Sequence, residues 1–127
     1  MNHPTIGAAI AALLLLSAPA GAAQSSLQIE LGSGGDFERR IVSYDCATEA
    51  PLVVTYLNAA PNFLALVPVA GEVEELVFAA VISGSGVRYA AGQWIWWSKG
   101  TDASLYDATL GEDAEPVLTC TEINNTP

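Results

Sequence analysis

Along most of this chain, apolar positions come in short runs, and Gly, Pro, Asn and Ser clusters cut the runs apart. Runs of about four to eight residues with period-two alternation are the signature of strands. In LVVTYLN (residues 52–58), Leu52, Val54 and Tyr56 fall on one side and Val53, Thr55 and Leu57 on the other. Both sets are largely apolar or β-branched, as in a strand that is covered on both faces or closes a small barrel. The pattern predicts strands at residues 39–44, 52–57, 62–68, 72–82, 86–91, 93–98, 103–107 and 116–121. Between them stand Ala59-Ala60-Pro61-Asn62, Ala70-Gly71, Ser83-Gly84-Ser85-Gly86, Gly92, Lys99-Gly100 and Leu110-Gly111-Glu112-Asp113. Residues 72–82 also fit a short helix, and the strand is the preferred assignment. No other segment offers a capped 3.6-residue period. The expected fold is all-β: a small antiparallel β-barrel of about eight strands, since closure removes exposed sheet edges. One domain is expected over residues 39–127. Residues 24–38, with a GSGG core, read as a flexible leader.

The first residues follow a different logic. Residues 6–16, IGAAIAALLLL, are wholly aliphatic or glycine, then SAPAGAAQ leads out through small residues. The run is short of the roughly 20 residues that a spanning helix needs. Residues 1–23 therefore read as a secretory signal peptide, cleaved after Ala22 or Ala23, although its positive start is only the terminal amine and His3. No cysteine lies near the cleavage zone, so no lipid anchor is expected, and the mature chain is expected to be soluble in the periplasm.

Charge and cysteine content narrow the function. The chain carries 4 Lys and Arg against 14 Asp and Glu, a net charge of −10, all of it beyond the signal. Such a surface repels nucleic acid and anionic membranes and attracts cationic partners. The only histidine, His3, leaves with the signal. Ser–His–Asp and Cys–His catalysis and His-ligated zinc then have no residue to use. No cofactor or metal site is called for: the acidic run at residues 112–115 lacks an EF-hand spacing. In an oxidising compartment Cys46 and Cys120 form a pair, expected as a disulfide between the start and the end of the domain.

The densest chemistry lies in SGSGVRYAAGQWIWWSKG, residues 83–100, which holds two of the four cations, Arg88 and Lys99. On a strand, Trp94 and Trp96 share one face and Ile95 and Trp97 the other, so at least one indole must be buried or sit in a surface contact. Trp is enriched at binding hot spots. SGSG supplies backbone freedom and hydroxyls and suits a plain hairpin turn equally well; with no GK[ST] after it, it is not a phosphate cradle. Ser85 and Lys99 are spaced so that neighbouring strands can bring both to one end of a hairpin, a hydroxyl beside an ammonium.

These residues resemble the family of C-type lysozyme inhibitors, whose membrane-bound and periplasmic forms are MliC and PliC. Tyr44-Asp45-Cys46 matches the family's Y-x-C. Residues 83–89 match S-G-S-G-x-x-Y, with Val87 where alanine is usual. Trp97, Lys99 and Gly100 match W-x-K-G, and Cys120 matches the closing cysteine. The resemblance covers roughly residues 42–122; the missing anchor cysteine points to the periplasmic form. It implies a small antiparallel barrel and a non-catalytic inhibitor whose loop enters the lysozyme cleft. It implies that Ser85 and Lys99 reach the two catalytic carboxyl groups, with Ser83, Gly84, Gly86, Arg88, Tyr89, Trp97 and Gly100 as the supporting motif. Arg88 would flank that contact or pair with an acid of its own barrel. A barrel carrying a small ligand in its mouth is the competing function. A carboxylate-pair glycosidase built on Asp102 with Asp107, or Glu112 with Asp113, is disfavoured, because acidic residues in turns are usually solvated surface.

Overall fold

The computed structural model describes residues 2–4, 7, 26–30 and 35–124. The expected signal segment falls almost entirely outside these residues, as does part of the leader. Eight strands follow in chain order: β1 (Glu38–Asp45), β2 (Leu52–Ala59), β3 (Asn62–Val67), β4 (Leu76–Val81), β5 (Val87–Ala91), β6 (Trp94–Lys99), β7 (Asp102–Asp107) and β8 (Leu118–Glu122). Each pairs antiparallel with the next, and β1 meets β8, so the sheet closes into a barrel. The expected fold class holds. Among the described residues no helix is long and apolar enough to cross a membrane.

Alternation decides what fills the barrel. On β2, Val54 and Tyr56 point inward and are buried, while Val53 stays exposed. Ala65 and Val67 of β3, Phe78 of β4 and Trp96 of β6 join them, and Phe78 and Trp96 have no exposed surface. A Tyr44–Trp96 edge contact with ring centroids 5.3 Å apart packs across the interior. The buried polar tips satisfy one another: the Tyr44 and Tyr56 hydroxyls share a hydrogen bond of 2.7 Å, and the Trp96 Nε1–H donates to the Tyr56 hydroxyl at 2.9 Å. Burial, reinforced by Tyr56, raises the Tyr44 phenol far above its ordinary pKa and that of Tyr89 to about 12, so both stay protonated at neutral pH.

Two sequence expectations need correction. The run at residues 72–82 is strand only over Leu76–Val81. Ahead of it, Gly71 has a φ of +91°, and the Glu72 N–H donates to the Val69 carbonyl at 3.0 Å, closing a turn. Glu72, Glu74 and Glu75 stand exposed there, because three carboxylates side by side favour solvent over a ladder. The first strand also starts one residue earlier than expected, since Glu38 pairs with Asn58. A short 3₁₀ turn, Ala108–Leu110, was not anticipated. The Asp107 carboxylate caps it by accepting from the Thr109 hydroxyl (2.6 Å) and backbone N–H (2.9 Å), which lowers its pKa.

The barrel closes unevenly. β1 lies against β2 from Glu38 to Tyr44, but meets β8 only at Tyr44↔Glu122 and Asp45↔Thr121. The Ile123 N–H adds one bond to the Ser43 carbonyl, 2.8 Å long. The Cys46–Cys120 disulfide, with Cα atoms 4.1 Å apart, sits at this seam, as the sequence led us to expect.

Candidate functional site

Register brings the predicted residues together. β5 and β6 form a hairpin about Gly92, with Val87 opposite Ser98 and Arg88 opposite Trp97. The loop before β5 (residues 82–86) and the turn after β6 therefore share one end of the barrel. Lys99 faces Asp102 across the second turn, whose first central residue, Gly100, has a φ of +57°. That left-handed conformation suits glycine and matches the first position of a type II′ hairpin. Ser85 and Lys99 are both exposed at this rim.

Trp97 joins the two halves. Its Nε1–H donates to the Ser85 carbonyl at 2.9 Å, and the Ser83 hydroxyl donates to the same carbonyl at 2.6 Å. The tip of the loop is thereby pinned through its backbone, while the Ser85 hydroxyl has no partner among the described residues. On the same indole, the Lys99 ammonium lies 3.8 Å from the ring centroid and the Arg88 guanidinium 5.0 Å from it. Neither cation has an ion pair among the described residues; the salt bridge there is Arg40–Glu122, at 3.4 Å. Arg88 thus does not pair with an acid of its own barrel, and its Nε is buried without a partner. Asp102, though opposite Lys99 in register, accepts instead from the Thr121 hydroxyl at 3.3 Å.

Gly86 locks the geometry. Its φ is +62°, and a Cβ built there would run into the Ser98 carbonyl, lie 2.6 Å from the Lys99 Cγ and 3.2 Å from the Trp97 Nε1. Gly84, by contrast, has open space around it. Gly86→Ala is therefore expected to displace the Ser98–Lys99 segment and destabilise the domain by about 1–3 kcal/mol, whereas Gly84→Ala leaves stability nearly unchanged. Urea melts of the two variants check this, and equal midpoints would contradict the close approach.

The other motif residues divide between rim and interior. Tyr89 is 5 % exposed and belongs to the core, its ring 5.7 Å from that of Tyr56. Of the three tryptophans, Trp96 is the buried one and Trp97 the outer one. The nominated acid pairs gain no support: Asp102 and Asp107 sit at opposite ends of β7. Sequence reasoning missed the two bonds to the Ser85 carbonyl and the double cation contact on Trp97. The second was within reach, because a two-residue turn at Gly92-Gln93 puts position 88 opposite 97 and leaves 99 on the same outer face. Beside the rim the barrel opens into a cavity of about 490 Å³, bordered by Ser83, Gly86, Ser98 and Gly100 and reaching in to Tyr44, Tyr56 and Tyr89.

Known proteins are similar to this chain in sequence and in fold. The family model for MliC, the membrane-bound lysozyme inhibitor of c-type lysozyme, matches residues 44–113. A protein of Pseudomonas aeruginosa, a membrane-bound lysozyme inhibitor of C-type lysozyme, is 42% identical over 94 residues, covering 74% of this chain and 73% of its own. A namesake from Cupriavidus necator is 33% identical over 118 residues, covering 92% and 93%. A crystal structure of Pseudomonas aeruginosa MliC in complex with hen egg white lysozyme superimposes with a TM-score of 0.59 at 39% identity, over 79% of this chain and 100% of that one. With the family model spanning the strands and loops that build the rim, this chain belongs to the MliC family of lysozyme inhibitors.

Proposed function

We propose that this chain inhibits C-type lysozyme without catalysis, by presenting Ser85 and Lys99 to the enzyme's two catalytic carboxyl groups. The observation that carries the reading is the Lys99 ammonium: exposed, free of any carboxylate among the described residues, and held beside a loop tip whose serine hydroxyl is unengaged. An enzyme of this kind works with one protonated acid and one ionised carboxylate. A serine hydroxyl suits the first as a hydrogen-bond partner, and an ammonium suits the second as a counter-ion. The gross attraction of an enzyme carboxylate for the ammonium exceeds the contact with Trp97 that it would replace. An exposed cation–π contact is worth about 0.5–1 kcal/mol. An ion pair at about 4 Å is worth roughly 4 kcal/mol at an effective dielectric near 20, before desolvation. Filling the cleft also excludes the sugar polymer.

The net charge of −10 has its own role. A cationic enzyme is drawn toward an acidic scaffold over long range, while the local positive rim meets the negative cleft at short range. Titration against hen egg white lysozyme, read as clearing of a cell-wall suspension, tests the inhibition: an unprotected suspension at stoichiometric excess rejects it. Stopped-flow association at about 0.01 M and about 0.5 M salt tests the steering. Screening lengths shrink from about 30 Å to under about 10 Å, so the association rate should fall by about tenfold or more while dissociation changes little. A salt-independent association rate would remove the steering role.

Both relatives are named membrane-bound. For this chain we propose a soluble periplasmic form. Its two cysteines are bonded to each other, which leaves no thiol in the sequence to carry a thioether-linked lipid.

A further inference from the structure

We propose that the mouth of the barrel, beside the Ser85–Lys99 rim and sharing its Ser83, Gly86 and Gly100 border, is a binding site for a neutral saccharide. The cavity of about 490 Å³ lies within the size range of small-molecule sites, about 300–1,000 Å³. Its inner wall is aromatic, built from Tyr44, Tyr56 and Tyr89, with Phe63 at the lip. Hydrogen-bonding capacity is left over inside it. The Tyr44 and Tyr56 hydroxyls are engaged with each other and with Trp96. The Tyr89 hydroxyl has no partner among the described residues, although the residue is only 5 % exposed. That hydroxyl is not itself sealed off: it reaches the cavity, where water or a ligand can hydrogen-bond to it. The half-buried Asn58 amide also lines the cavity without a partner among the described residues.

Charge selects the ligand class. The mouth holds one cation and one anion, Arg40 and Glu122, joined by a long contact of 3.4 Å. That pair sums to zero, and it leaves several guanidinium N–H groups and a carboxylate oxygen open to further hydrogen bonds. An anion would meet Glu122 and the −10 scaffold, and a cation would meet Arg40. A pyranose has what this wall lacks a partner for: an apolar ring face for the aromatic side chains and a rim of neutral hydroxyl and amide groups for Tyr89, Asn58 and Arg40.

The test uses the full domain alone, without lysozyme, so its outcome is independent of the inhibition reading. N,N′-diacetylchitobiose is titrated while tyrosine ring and Trp96 indole NMR signals are followed, with inorganic phosphate as the anionic control. Expected are saturable shifts at Tyr89 and Trp96, none with phosphate, and binding weakened about fivefold or more in Tyr89→Phe. Because the lost hydroxyl has no internal partner, that variant keeps its fold; Asn58→Ala, removing a half-buried amide, gives a second weakened variant. No saturable shift in the parent domain overturns the site, as does unweakened binding in both variants or equal displacement by phosphate.

Discussion

Lys99→Ala raises the inhibition constant against a C-type lysozyme by at least about tenfold, the equivalent of about 1.4 kcal/mol, while the domain stays folded. The magnitude follows from where the side chain stands. Lys99 is exposed and spans no salt bridge among the described residues, so its loss takes little from the barrel beyond an exposed contact with Trp97. In the proposed complex, by contrast, its loss would leave a carboxylate of the enzyme covered and without a counter-ion, an omission that costs several-fold more than an exposed pair. Lys99→Met separates charge from bulk. It keeps much of the stem that packs beside Gly86 and is expected to lose inhibition nearly as fully as alanine. Inhibition constants from cell-wall clearing, with thermal melts of the same samples, read both quantities. Unchanged inhibition in a folded Lys99→Ala domain would remove the ammonium from the mechanism, whatever else the rim contributes.

Why this lysine rather than another cation is answered by its neighbours. Arg88 shares the indole of Trp97 but lies on β5, one strand in from the turn, with its Nε buried. Lys99 ends β6 at the rim, and its ammonium is a compact point charge on a flexible stem. The two cations over one ring repel each other, and the ring's negative face offsets part of that repulsion. Trp97 therefore does two things at once: its edge holds the Ser85 carbonyl and its face carries the positive charge. This explains why a tryptophan occupies an outward position of a strand whose inward tryptophan, Trp96, already fills the core.

Much of this arrangement is legible in the order of residues alone, for a definable reason. Strands of period two, punctuated by glycine turns, fix pairing by arithmetic. With Ala91 opposite Trp94, each pair on β5 and β6 has the same sum, so Gly86 must fall opposite Lys99 and Ser85 just beyond. The misassigned stretch at residues 72–75 failed on the opposite ground. Its Val73 fits the alternation but is 99 % exposed, because three glutamates and a left-handed Gly71 hold the chain in solvent. The carbonyl of Ser85 accepting from both Ser83 and Trp97 could not be read, since residue types do not say which backbone atom a side chain will meet. Nor could the short β1–β8 seam, where strand length is set by neighbours distant in sequence.

That seam is where the second large effect is expected. Replacing both Cys46 and Cys120 by serine should lower unfolding free energy by about 4 kcal/mol, from the chain entropy released when a closure of 74 residues is removed. For a domain whose total stability is on the order of 5–15 kcal/mol, the melting temperature should fall by roughly 15–30 °C. The location adds a second signature. β1 holds β8 through little more than the Tyr44 and Asp45 pairs, and the staple sits at that end of both strands. Without it, β1 and β8 should separate before the rest of the barrel. Hydrogen exchange checks this: the amides of residues 43–45 and 121–123 should lose protection ahead of those on β5 and β6, whose hairpin is paired along its full length. Inhibition at low temperature should survive the double substitution, because the Trp97–Ser85–Lys99 cluster is built wholly within β5, β6 and their loops. A melting temperature within a few degrees of the parent would show that the seam is held by packing instead, with the buried Tyr44, Val42 and Trp96 cluster as its true fastening.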